Sequence, residues 1–170
     1  MGLFSSTQLD SLECLFMDQI RDLYDAEQRL TKALPKVAAA ASTTSLKTAI
    51  NEHLRETENH VSRLERVFAI MGKDPEAKTC EAMKGLIAEG EEAIGAEGDP
   101  DVKDAALIAA AQRVEHYEMA GYGTARSIAQ RLGKRDAAEL LQDTLDEEKA
   151  ADKKLTELAE REINAHAAMA

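Results

Sequence analysis

Glu115 and Glu118 stand one helical turn apart in "VEHYEMAGYG", directly after the apolar small-residue run "AALIAAAQR". At that spacing both carboxylates share one face of a helix, the face that should be core. Carboxylates gathered in an apolar interior have two chemical outlets. They can share protons and hydrogen bonds, or they can bind cations through oxygen. The pattern recurs in three other segments. The stripe 16, 20, 23, 27, 30, 34 passes through Glu27. The stripe 46, 50, 53, 57, 61, 64 passes through His53 and Thr57, with Glu56 at its edge. The stripe 141, 144, 148, 151, 155 passes through Glu148, with Glu147 and Asp152 beside it.

Five helices must position these residues. The first is expected to start near Ser5 to Thr7, with Pro35 inside it as a kink or break. "STTS" at 42–45 caps the second, which ends at Gly72. "DPE" at 74–76 and "DPD" at 99–101 each put Asp at an N-cap and Pro in the first turn. They predict a short third helix and a long fourth one closed by Gly133. The fifth runs from about Arg135 past Ile163, and 165–170 are expected to fray. Two short loops make two antiparallel hairpins, joined by a longer connection with its own short helix. The predicted fold is therefore all-α, a single domain over 1–170: a four-helix bundle with a long crossover, the ferritin-like connectivity. A faint internal repeat agrees with a duplicated hairpin, since Glu118 falls on Glu27 while Glu147 falls on Glu56 and Leu145 on Leu54.

Composition supports helices: aromatics are 4% and Trp is absent. A net charge of -11 argues against a nucleic-acid or anionic-membrane partner. Two cysteines are too few for a disulfide framework, and Cys14 is expected to be a buried thiol. No secretory signal or membrane-spanning run is visible, so a cytoplasmic location is expected.

Levelling the hairpins about residues 43 and 133 sets Glu27 near Glu56 to His60, Glu118 near Glu148, and Glu115 near Asp152. One acidic layer at mid-bundle follows. Such a layer costs several kcal/mol per unpaired charge even after relaxation, as an order of magnitude. Two divalent ions would offset it and supply the geometry that carboxylates favour. The sequence departs from the usual Glu-x-x-His pattern of such sites. His53 precedes Glu56, and His60, one turn beyond, is an alternative ligand. His116 is read as exposed or supporting, and Tyr24, Tyr117 and Tyr122 as possible donors to the acids. The competing hypothesis is a metal-free structural or partner-binding bundle with a hydrogen-bonded polar core.

"LYDAEQRLTKALPK", "HLRET", "DAALIAAAQRVEHYEMAGYGT" and "LDEEKAADKKL" resemble the YciE/YciF family of bacterial ferritin-like proteins over nearly the whole chain. The resemblance implies a rubrerythrin-like bundle, a homodimer, a di-iron centre and a link to stress responses. It places Glu27, His53, Glu56, Glu115, Glu118, Glu147, Glu148 and Asp152 within shared motifs and leaves His60 outside them. On that basis two Fe ions are expected, with Mn as the alternative, acting on oxygen or peroxide. Glu56 and Glu148 would bridge or cap the metals, and Glu27 and Glu118 would be terminal ligands. His53, Glu115 and Asp152 would complete the shell.

Overall fold

The computed structural model describes residues 9–170. The helix start read at Ser5 to Thr7 lies outside them. Helix α1 spans Leu12–Ala40, capped by the Ser11 hydroxyl, which accepts from the Cys14 backbone N–H. Cys14 is exposed there, contrary to the buried thiol expected, because it lies in the first turn and off the core stripe. The helix runs through Pro35 without ending. The ring faces solvent, so water can satisfy the carbonyl that loses its helical partner.

Helix α2 spans Thr44–Ile70, and its N-terminus is capped from a distance. Thr43 makes no side-chain cap; instead the buried Asp104 carboxylate accepts from the backbone N–H groups of Ser42 and Thr43 at 2.7 and 2.8 Å. Helix α3, Glu81–Gly95, begins later than Asp74 and Pro75 suggest. Residues 73–80 instead lie non-helical along α1: Lys78 N–H donates to the Arg21 carbonyl and Cys80 N–H to Asp25. Those anchors hold the strap extended until Cys80 caps α3.

Helix α4 spans Pro100–Arg131, with Asp99 at its N-cap and Pro100 in the first turn, as the sequence predicts. Helix α5 spans Arg135–Leu158 and is followed by one wider π turn, Ala159–Ile163. A last helical turn, α6 (Asn164–Ala167), occupies part of the stretch expected to fray. Gly72 and Gly133 close α2 and α4 at φ 65° and 72°, where a side chain would be strained.

The bundle closes as a ring: α1 packs on α2 and α4, and α5 on α2 and α4, while α3 lies against α1 and α4. There is no strand among the described residues. Two separate apolar clusters fill the interior. One holds Phe16, Ile20, Leu23, Leu64, Phe68 and Leu141; the other holds Leu30, Leu34, Leu46, Ile50, Leu107 and Leu155. Glu27, His60, Glu118 and Glu148 fall between them in sequence on every helix of the ring, and none has exposed surface.

Candidate metal centre

Each helix of the ring delivers a donor to that layer. Glu27 comes from α1, His53 and His60 from α2, Glu115 and Glu118 from α4, and Glu148 from α5. The residues form two overlapping sets. His53, Glu115, Glu118 and Glu148 have donor atoms within 4.8 Å of one another, and so do Glu27, His60 and Glu148. Glu148 belongs to both.

In the first set His53 Nε2 lies 3.4 Å from Glu115 Oε1 and 3.7 Å from Glu148 Oε2. Its Nδ1 lies 3.3 Å from Glu56 Oε2, and the Glu56 side chain is 44% exposed. In the second set His60 Nδ1 lies 3.0 Å from Glu148 Oε1 and 3.3 Å from Glu27 Oε1. Neither oxygen is placed to take a directed hydrogen bond from Nδ1. On its other side His60 Nε2 lies 2.8 Å from Glu147 Oε2, and Arg63 Nη2 donates to Glu147 Oε1 at 2.8 Å. A line His60–Glu147–Arg63 therefore runs from the buried layer towards the surface. An imidazole whose second nitrogen is held by a carboxylate is the arrangement that orients histidine for metal.

Charge in this layer is strained without a cation. Burial, then the negative charge of Glu148, pushes Glu115 well above the ordinary carboxylate range. Burial, then Glu148 and Glu27, does the same to Glu118. Burial also raises Glu27, although His60 pulls the other way. For Glu148 burial is outweighed by His60 and His53, and its carboxyl is held low. Burial depresses His60, but the flanking Glu148 and Glu27 carboxylates outweigh it and raise the ring to about 10.

The donor set fits metal on a geometric observation too. Both oxygens of Glu118 and of Glu148, Oε2 of Glu27 and of Glu115, His53 Nε2 and His60 Nδ1 are buried without a hydrogen-bond partner among the described residues. Folded proteins leave few such atoms, and here they point into one layer. Carboxylate oxygens with two imidazoles suit iron or manganese better than a soft thiolate metal.

The sequence-expected residues separate under this geometry. Glu27, His53, Glu115, Glu118 and Glu148 come together. Glu56 stands at the edge, holding His53 from outside. Asp152 turns away from the donor sets: it accepts from Gln112 Nε2 at 3.0 Å and lies 3.3 Å from Nε2 of the exposed His116. His60, which the resemblance set aside, sits in the layer with no exposed surface. The signal that finds it is the stripe through 53, 57 and 60 rather than 61, since all three residues are polar and buried. Tyr122 donates to Glu27, while Tyr24 and Tyr117 donate to Glu65 and Asp22, outside the layer.

A test of this charge pattern needs only the metal-free chain. His60 titrates higher in the fold than its ordinary 6.5, so its contribution is complete below that pH and is lost as pH rises towards about 10. Glu27, Glu115 and Glu118, all raised, also favour the fold less as pH climbs above the ordinary carboxyl range. Glu147 and Glu148, both lowered, matter in the opposite sense only at acid pH. Thermal unfolding of metal-free protein should therefore show a lower midpoint at pH 9 than at pH 7. An unchanged midpoint would mean that His60 is not held as an imidazolium.

Four helices presenting histidine and glutamate to one buried layer define the molecule as an all-α bundle with a polar core able to hold metal. The chain belongs to the family described as "Domain of unknown function (DUF892)", whose model matches residues 11–168. It is 45% identical to Protein YciF of Escherichia coli (strain K12) over 157 residues, 92% of this chain and 95% of that protein. The solved structure of the E. coli stress protein YciF superposes with a TM-score of 0.88 at 46% identity, covering 91% of this chain and 98% of that one. YcfI from Rhodopseudomonas palustris superposes with a TM-score of 0.85 at 42% identity, over 91% and 98% of the two chains. A protein from Xanthomonas campestris pv. campestris, 17% identical, shares the fold alone, with a TM-score of 0.74 over 91% and 95%. No helix among the described residues is long and apolar enough to cross a membrane.

Proposed function

We propose that this protein binds two divalent metal ions, iron in the first instance and manganese as the alternative, and reduces oxygen or peroxide in stress protection. Glu27, His60 and Glu148 would hold one ion. His53, Glu115, Glu118 and Glu148 would hold the other, with Glu148 bridging. The single observation behind this reading is the pair of overlapping donor sets, each with its donor atoms within 4.8 Å of one another and together holding the buried, unpartnered oxygens and nitrogens of the layer. Four carboxylates there match the charge of two divalent ions. Bound iron would supply the electrons for reduction, which no side chain in the layer offers. The chain's own residues do the rest. Glu147 fixes the orientation of His60, Arg63 neutralises Glu147, and Tyr122 holds the Glu27 carboxylate in place. The two apolar clusters close the layer on both sides along the bundle axis. The E. coli relative bears the name of a stress protein, which fits that role.

The competing reading is a metal-free structural bundle; the Rhodopseudomonas relative is described as a structural protein, without reference to metal. It draws on the ion-pair contacts of His60 with Glu27, Glu147 and Glu148, whose charge a protonated imidazole would offset in place of a metal. Metal content decides between them. Untagged protein reconstituted anaerobically with Fe(II), desalted and measured by plasma mass spectrometry should carry about two irons per chain. Near-zero metal with intact helicity would favour the structural bundle. Light scattering on the same sample tests the homodimer that we also propose, against a chain mass of 18.5 kDa.

A further inference from the structure

The two halves of the bundle are unequal at the centre. When Glu118 is laid on Glu27, Glu148 falls on Thr57 and Ala151 falls on His60. His60 fills its corner with a fully buried imidazole. At the matching corner Ala151 offers a methyl group. The space it leaves belongs to a cavity of about 130 Å³ between α2 and α5. His53 and Glu115 line its buried part, while Glu52, Glu56 and Lys154 line its exposed part. The His53 and Glu115 side chains are 7% and 3% exposed, and His53 Nε2 and Glu115 Oε2 have no hydrogen-bond partner. Glu56 reaches from solvent to within 3.3 Å of His53 Nδ1. A surface carboxylate, an imidazole and a buried carboxylate thus follow one another inward.

We propose that this cavity is the port through which divalent cations reach the centre. Glu56 takes the ion from solvent, and His53 and Glu115 draw it inward past Ala151. The inference rests on the metal-binding reading above and adds the route. A second cavity, of about 50 Å³, also reaches Glu115; Lys36 and Glu91 pair at its exposed mouth, but Leu30, Leu34, Val37, Leu107 and Val114 wall the passage inward. An ion crossing such walls would lose its hydration with nothing to replace it. In the polar cavity donors replace water stepwise. Lys154 and Glu52 form an ion pair at its rim, so the Lys154 ammonium opposes an incoming cation.

The experiment is anaerobic stopped-flow uptake of Co(II) by the full chain, read by visible absorption, with equilibrium stoichiometry from dialysis. Ala151→Phe should slow uptake about tenfold or more, a barrier increase of about 1.4 kcal/mol, while the final stoichiometry and helicity match wild type. Ala150→Leu, which narrows the same cavity from a more exposed position, serves if Ala151→Phe does not fold. Lys154→Gln should speed uptake several-fold at low ionic strength and lose that advantage in high salt. Ala111→Phe, on the apolar cavity, should leave the rate unchanged. Wild-type rates in both narrowed variants, or slowing by Ala111→Phe instead, would overturn the port while leaving metal binding intact. A wild-type chain that takes up no Co(II) at equilibrium would overturn both proposals.

Discussion

Glu148→Gln should reduce iron binding from about two ions per chain to near zero, the largest functional loss of any single replacement in the layer. The reason is its position. Glu148 alone supplies oxygens to both donor sets, so its neutralisation removes a ligand from each. Glu118→Gln touches one set and should leave about one ion per chain. Stability should fall as well. Glu148 Oε1 is the carboxylate oxygen nearest the buried His60 Nδ1, at 3.0 Å. Breaking a buried pair of this kind costs about 3–5 kcal/mol. Glu27 and Glu147 still face the ring, so the lower end applies, roughly 3 kcal/mol. For a chain of this length that is a drop of about 6–12 °C in the midpoint. Helical content should survive, since both apolar clusters are untouched. Plasma mass spectrometry and thermal unfolding by circular dichroism read the two effects separately, and full metal content in this variant would remove Glu148 from the site.

Glu118→Met should act in the opposite direction on the metal-free chain and make it more stable. Both Glu118 oxygens are buried without a partner, and burial and three neighbouring acids raise its pKa. Methionine has similar length and no polar atom to desolvate. Relief of one unsatisfied buried group is worth roughly 1–3 kcal/mol, or about 2–12 °C at this size. The same change should remove one metal position. Gain of stability with loss of binding is the signature of a residue kept for function. A lowered midpoint in the metal-free variant would show instead that the carboxyl holds the core together, as the structural bundle requires.

Helical periodicity carries most of the architecture. The apolar stripes locate the four long helices, and they also expose Glu27, Glu115, Glu118 and Glu148, because an acid on a core face violates the pattern at single positions. The stripe is less able to choose between neighbours. A helical face is broad enough that 60 and 61 both qualify, and His60 loses to Val61 if hydrophobicity alone decides. Glu56 and Asp152 illustrate the converse: each is one helical turn from a buried donor, His53 and Glu148 respectively, and each points away from the layer. Long-range contacts leave no local trace. Asp104 caps α2 from another helix, and the strap at 73–80 ignores the signal at Asp74 and Pro75 because α1 offers it better partners. Pairing by the internal repeat shows which halves correspond; the side-chain packing of α2 against α5 shows where they differ.

The apolar clusters on either side of the polar layer set a ruler for it. Each helix of the ring enters and leaves the layer through close-packed aliphatic side chains, so the gaps between opposing backbones are fixed outside the layer. The donors inherit those gaps and adjust only through their own rotamers. On the metal-binding proposal, the ionic radius that the layer would accommodate is thereby written largely in leucine, isoleucine and phenylalanine, residues outside both donor sets. Selection among cations of equal charge can drift through these positions while every ligand stays the same.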